Sequence, residues 1–196
     1  MTEQTLTAQM ILDTAEDVLR RYGPAKATVV DVARALGVSH GSIYRHFPSK
    51  AALRDAVVAA WLHRVVTPLR VVVAAPGPAD VKLRAWFDAL REIKRAKVLD
   101  DPEVFTTYGA IVAETREVVA AHVAELIDQI AAIVAEGIAE GRFAPGDPAA
   151  LAAAVLDATS RFHNPAHAGE WGTPENDAAF EGVWRLVIAG LRARPD

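Results

Sequence analysis

The chain has no cysteine in 196 residues. This excludes disulfides, thiolate metal sites and thiol redox sensing, and it points to a cytoplasmic protein. The opening Met-Thr-Glu-Gln-Thr has no basic start followed by an apolar stretch, so no secretion signal is expected. The longest apolar runs are read as too short to cross a membrane. No convincing strand is present: Val71-Val72-Val73 is short and closes a helical pattern. There is no internal repeat, and no low-complexity tract beyond abundant alanine. Hydrolase, kinase and dinucleotide motifs are also missing. Gly137-Ile-Ala-Glu-Gly141 lacks the preceding strand and the glycine spacing of a phosphate cradle. These absences argue against an enzyme, and no cofactor is expected.

What the chain does have is an ample core and an uneven charge. Apolar residues make up 52%, enough to fill the interior of one medium domain, or of a small and a medium one. The net charge of −4 argues at first against a nucleic-acid partner. Its distribution does not. Residues 1–54 carry 7 Lys and Arg against 5 Asp and Glu, whereas 55–196 carry 14 against 20. A mildly basic head on an acidic body suits a protein that meets DNA at one end.

Nearly every segment has helical period. Ile11, Leu12, Ala15, Val18, Leu19 and Tyr22 follow the i, i+3, i+4, i+7 pattern, with Thr7 as the cap and Gly23-Pro24 as the stop. Ser49 caps a predicted helix over 49–73 that ends at Ala-Ala-Pro-Gly-Pro. Further helices are predicted at 79–98, 102–113, 115–140, 148–162 and 175–193. An all-α fold of about nine helices follows, with a domain at 1–52 and a larger one at 53–196.

Residues 28–50 carry the most specific signal. Thr28 is a good N-cap before Val29, with Asp31 in the first turn. Val32 and Leu36 point inward, and Ala33 sits where two helices would cross. Gly37 falls where the turn needs a left-handed backbone that glycine adopts cheaply. Val38 packs under the turn, Ser39 caps the next helix, and Ile43 and Phe47 form its inner face. His40, Gly41, Ser42, Tyr44, Arg45 and His46 are left outward. Small and polar residues at the start of a helix allow it to enter the major groove and reach base edges. An ordinary helical hairpin with a solvated polar face is the alternative.

The wider pattern resembles the TetR family of transcriptional regulators. The likeness rests on Ile11, Ala15, Leu19, Gly23, Thr28, Val32, Ala33, Gly37, Val38, Ser39, Gly41, Tyr44, His46, Phe47, Lys50 and Leu53, about the first quarter of the chain. It implies that Thr28, Tyr44 and Lys50 grip phosphates, and that His40, Gly41, Ser42 and Arg45 lie on the groove helix. Lys50 opens the following helix, whose N-terminus also favours a phosphate. Arg45 has two open roles, bidentate pairing with a guanine or a simple phosphate contact. His46 likewise has two, a phosphate near the helix end or a fold-stabilising contact. Val30 departs from the family pattern, in which many relatives place a polar or basic residue there.

By analogy with that family, the body is a helical ligand pouch with a dimer interface. Two alanine-rich apolar helices, with Leu151 and Val155 on one and Phe180, Trp184, Val187 and Leu191 on the other, are the interface candidates. Core packing within one protomer is their alternative. A dimer is also expected because one short helix contacts too few bases for useful specificity. Trp86, Phe87, Phe105, Tyr108, Ile111, Phe162 and Trp171 are candidates to line a small-molecule pocket. His122, Arg161, His163 and Asn164 are its candidate polar groups. His163 and His167 have metal-ligand spacing, but Pro165 interrupts the helix and no acidic residue is read at a useful spacing, so no metal is expected.

The expected function is a homodimeric repressor that leaves a palindromic operator, its double-stranded DNA partner, when a small, largely apolar effector binds. A metal-responsive regulator and a helical small-molecule binding protein are the rivals.

Overall fold

The structure is a computed structural model in which residues 5–23, 26–100, 112 and 115–192 are described. The described residues form eight α-helices: α1 Ala8–Tyr22, α2 Val29–Leu36, α3 His40–Tyr44, α4 Lys50–Ala74, α5 Ala79–Asp100, α6 Arg116–Ala139, α7 Pro148–Ala158 and α8 Pro174–Leu191. Two 3-10 turns, Ser160–Phe162 and Pro165–Glu170, stand between α7 and α8. The described residues contain no strand, only an isolated bridge between Phe143 and Arg192. The helix predicted at 102–113 lies outside the described residues apart from Val112, and so do Phe105, Tyr108 and Ile111.

Local chemistry sets the helix ends. The Thr7 hydroxyl accepts from Met10 N at 3.2 Å, and Gly23 closes α1 with φ 71° and its N–H on the Leu19 carbonyl. Ser49 Oγ accepts from Ala52 N at 3.0 Å at the start of α4. At α7 and α8, Asp147 and Thr173 cap helices whose first residue is proline, where a missing N–H costs nothing. The helix predicted over 148–162 stops early, at Ala158. The Thr159 hydroxyl folds back to donate to the Val155 or Leu156 carbonyl, at 2.9 and 3.1 Å, and the chain tightens into the first 3-10 turn.

The backbone gathers into two compact units, Met1–His63 with Asp101–Ala120, and Arg64–Asp100 with Ala121–Asp196. In the first, Ile11, Val32, Ala33, Ile43 and Leu53, Val57, Val58 and Trp61 of α4 form one core. The core of the second takes Val65, Val66 and Leu69 of α4, Leu83, Trp86, Phe87 and Leu90 of α5, and Leu126, Ile130, Ile133 and Val134 of α6. Val155, Leu156, Phe162, Phe180, Trp184 and Leu191 complete it.

One expectation needs correction. Contiguous apolar runs are short, but α4 and α6 have 25 and 24 residues and are apolar enough to cross a membrane by length and composition. Alanine and few charges bring them to that threshold. Much of each helix's large apolar surface lies in the cores just described, while Val71 of α4 and Val123 of α6 stay exposed.

Gly137 marks a close approach in the second core. A Cβ there would overlap the ring of Phe143, which is itself fully buried. Helix propensity alone would favour alanine by about 1 kcal/mol, whereas overpacking costs about 1–3 kcal/mol. Gly137→Ala should therefore lower the free energy of urea unfolding, and adding Phe143→Leu should recover part of the loss. Strictly additive losses would show that the ring is not the obstacle.

Candidate functional site

The α2–α3 hairpin is built from reciprocal short-range bonds. The Thr28 hydroxyl accepts from Asp31 N at 3.2 Å, while Thr28 N–H donates to Asp31 Oδ2 at 3.2 Å, a complete capping box. The same hydroxyl donates to Asp31 Oδ2 at 2.6 Å, and Arg34 reaches Asp31 Oδ1 at 3.0 Å. These bonds, the Thr28 hydroxyl first, hold the Asp31 carboxyl below the usual carboxylate range. At the turn, Gly37 is left-handed at φ 68°, with its N–H on Arg34 O and Val38 N–H on Ala33 O. This 6→1 closure leaves α3 little freedom to swing.

On α3, Ser39 Oγ accepts from Ser42 N at 3.2 Å, and the two hydroxyls are 3.0 Å apart. Ser42 Oγ in turn accepts from Arg45 Nη2 at 3.2 Å. Ile43 is fully buried, whereas His40, Gly41, Tyr44, Arg45 and His46 are exposed and Ser42 is half-buried. The His40 and Tyr44 rings meet edge to face at 6.4 Å. The α-helix ends at Tyr44, earlier than a helix running to Phe47, and the chain continues in turns with Phe47 N–H still on Ile43 O. Lys50 is exposed as the first residue of α4, and Val30 is exposed on α2. One short helix thus presents a polar and basic outer face, with a lysine at the next helix start. That is a helix-turn-helix of the kind that meets DNA.

The interior of the second unit holds a second polar group of interest. On α5 the apolar stripe Leu83, Phe87, Leu90 continues in register to Lys94, which is 4% exposed. Burial, reinforced by Lys97, pushes its ammonium down to about 8. His122 of α6 and His163 are each 8% exposed. Burial first, and the Lys94 charge second, push them down to about 3 and about 4. His163 Nε2 has partners in Thr159 Oγ1 and the Leu156 carbonyl, both at 3.2 Å, but buried His122 Nε2 has none.

The sequence-derived pocket residues divide accordingly. Trp86, Phe87 and Phe162 are buried. Trp86 Nε1 donates to Gln129 Oε1 at 3.0 Å, and Gln129 donates on to the Val66 carbonyl at 3.2 Å. Phe87 lies 6.3 Å from the His163 ring and 5.6 Å from Trp184. His122 and His163 join this interior; Arg161 and Trp171 do not. Arg161 is exposed and paired with Glu170, and half-buried Trp171 donates to the Arg161 carbonyl. Asn164 caps the second 3-10 turn. Lys94 and Gln129 were not among the expected residues. The helical register of α5 would have flagged Lys94, because it falls on the buried stripe.

The interface candidates lie mostly in the protomer's own core. Val155, Phe180, Trp184 and Leu191 are buried, and Leu151 and Val187 pack half-buried against the same cluster. Phe180 stacks on Trp184 at 5.9 Å, and Arg91 sits 3.8 Å over the Phe180 ring. Near the paired histidines a carboxylate does occur, contrary to expectation: Glu170 lies 3.5 Å from His167 Nδ1. His163 points into the interior instead, and no three metal-ligating side chains come together among the described residues.

The comparisons agree with this geometry. Residues 11–57 match the family model for bacterial regulatory proteins of the tetR family, and 79–184 match a tetracyclin repressor-like C-terminal domain. The chain belongs to the TetR family of DNA-binding transcriptional regulators. It is similar to the HTH-type transcriptional regulator RutR of Escherichia coli K12, 27% identical over 94% of this chain and 90% of that one. An uncharacterized HTH-type regulator of Mycobacterium tuberculosis H37Rv is 32% identical over 64% and 63%. A solved protein of unknown function from Rhodococcus sp. RHA1 superposes with TM-score 0.70 at 25% identity, covering 98% of both chains. A TetR-family regulator from Agrobacterium tumefaciens gives 0.59 at 22%, over 95% and 97%.

The buried histidines make stability depend on pH. Unfolded, both take up protons near pH 6.5; folded, they do so only at about 3 and about 4. Their contribution is complete above 6.5 and is lost as pH falls through 6.5 toward 4. Between pH 7 and 5 each should cost about 2 kcal/mol of unfolding free energy. His122→Gln should remove about half of that loss in urea titrations at the two pH values. An unchanged loss would contradict a neutral buried imidazole.

Proposed function

We propose that the protein is a homodimeric, ligand-responsive repressor that binds a palindromic operator. The observation that carries this reading is the outer face of α3, with His40, Gly41, Ser42 and Arg45 clear of the core and Lys50 at the next helix start. Two such helices roughly 35 Å apart would enter successive major grooves of one DNA face. Lys50, Tyr44 and Thr28 take phosphates, and Arg45 takes a guanine edge. The Thr28 hydroxyl donates its hydrogen bond to Asp31 Oδ2, so a phosphate must compete with that carboxylate for it.

Dimerisation is assigned to the outer faces of α7 and α8 rather than to their aromatic inner faces. Ala150, Ala154, Ala178, Leu186, Ala189 and Gly190 are exposed there, with Leu186 at 75%. Small side chains let paired helices approach closely, and Leu186 gives the contact an apolar centre. A small, largely apolar effector in the body binds the DNA-competent and DNA-released geometries unequally and so lowers operator affinity. The protein acts in the cytoplasm and catalyses no reaction.

Sequencing the DNA selected by the purified protein yields the operator for testing these roles. Lys50→Ala should weaken binding to every sequence and flatten the salt dependence of log K by about 2, one phosphate contact being lost from each protomer. Arg45→Ala should instead relax preference at one base pair of each half-site, worth about 1–3 kcal/mol apiece. Operator binding that survives both changes would remove α3 from the groove. Leu186→Arg should shift the protein toward monomer in sedimentation and lose operator affinity with it. A dimer unaffected by that change would move the interface elsewhere.

A further inference from the structure

Several polar groups inside the second unit are paired, whereas His122 Nε2, both amide atoms of Asn176 and the Nε atoms of Arg91 and Arg95 have no partner among the described residues. The Trp86 indole is satisfied by Gln129, Gln129 by the Val66 carbonyl, and His163 and Thr159 by each other and by the end of α7. Arg91 and Arg95, on the same half of α5 as Lys94, both donate to Asp177. Lys94 is different: it is buried, and no carboxylate or hydrogen-bonding partner meets it among the described residues. The imidazole of His122, whose titration answers to the Lys94 charge, is buried with its Nε2 unpartnered. An isolated ammonium in an apolar interior is unfavourable unless something brings it a counter-charge. The wall that leads to Lys94 along α5, Leu83, Phe87 and Leu90, is apolar and fully buried, and Phe87 lies 6.3 Å from the His163 ring.

We propose that the effector is an amphipathic carboxylate, an apolar body with one acidic headgroup, whose charge pairs with Lys94 and whose oxygen accepts a hydrogen bond from His122 Nε2. This rests on the reading of the protein as ligand-responsive and names the chemistry that the response requires. A single negative charge fits, because among the described residues Lys94 is the one buried cation without a counter-charge, and the neutral imidazole adds a donor without a charge. The neighbouring arginines already share Asp177, so a phosphate dianion would find no second free cation among them. A neutral apolar molecule would leave the ammonium buried and unpaired, and would gain only the contact with the wall.

The test compares phenylacetate, octanoate and dodecanoate with their primary amides, by calorimetry and by release of the selected operator from the full-length protein. At least one carboxylate should bind wild type ten or more times tighter than its amide. Lys94→Met should bring that ratio within about twofold, and Lys94→Arg should keep it. Lys94→Met should also raise the Tm of the ligand-free protein at pH 7, because it removes a buried unpaired charge. Amides bound as tightly as carboxylates, a ratio that survives Lys94→Met, or no binding of any pair would overturn the proposal. If Lys94→Met does not fold, the Lys94→Gln ratio decides. Operator release by amides alone would overturn the anion while sparing ligand control. Tight, Lys94-dependent carboxylate binding without operator release would support the anion site and overturn ligand control.

Discussion

A helix satisfies its own backbone but cannot bury its own side chains, and that constraint organises this chain. With no disulfide and no strand ladder among the described residues, each helix is held by the stripe it presents to its neighbours. In α1 the stripe is Ile11, Ala15, Val18; in α5 it is Leu83, Phe87, Leu90. Where the stripe contains a small residue, neighbouring chain comes close, as at buried Ala33 beneath the α2–α3 turn and at Gly137, where the Phe143 ring settles on α6. Where it contains a charge, the exception calls for a reason. Lys94 occupies a stripe position without the partner that its neighbours Arg91 and Arg95 have in Asp177.

The hairpin that touches DNA was readable residue by residue because its determinants are local. A Thr three residues before an Asp specifies a capping box, and a glycine after the last apolar residue specifies the left-handed turn. Both depend on atoms within a few positions of each other. The body was less readable because periodicity shows that a face is buried, not what buries it. Phe180 and Trp184 fit an interface and a core equally well as sequence; in the structure they close the interior with Phe87 and Arg91. Arg161 and Trp171 were misjudged for the opposite reason. Glu170 lies too near in sequence to suggest a long-range role, yet it takes the arginine into a surface pair. Lys94 was legible in principle, because the helical register of Leu83, Phe87 and Leu90 carries the buried stripe to its position.

The polar face of α3 and the buried Lys94 show opposite solutions to the same requirement, that a polar group have a partner. On the reader, the groups proposed to meet DNA already satisfy one another: Thr28 with Asp31, Ser39 with Ser42, and Ser42 with Arg45. Thr28, Ser39 and Arg45 are exposed and Asp31 and Ser42 half-buried, so these bonds are weakly held and can be exchanged for phosphate and base edges at little net cost. Such exchange orders the side chains in advance, and it lets specificity come from geometry more than from the strength of any single bond. Lys94 has no such substitute among the described residues, and it is buried. A ligand that supplies its counter-charge changes the energy of the interior far more than a surface contact could, because both charges meet away from solvent. Exchangeable bonds at the DNA face and an unpaired cation in the body therefore suit a regulator whose DNA contacts must be reversible and whose control must be decisive.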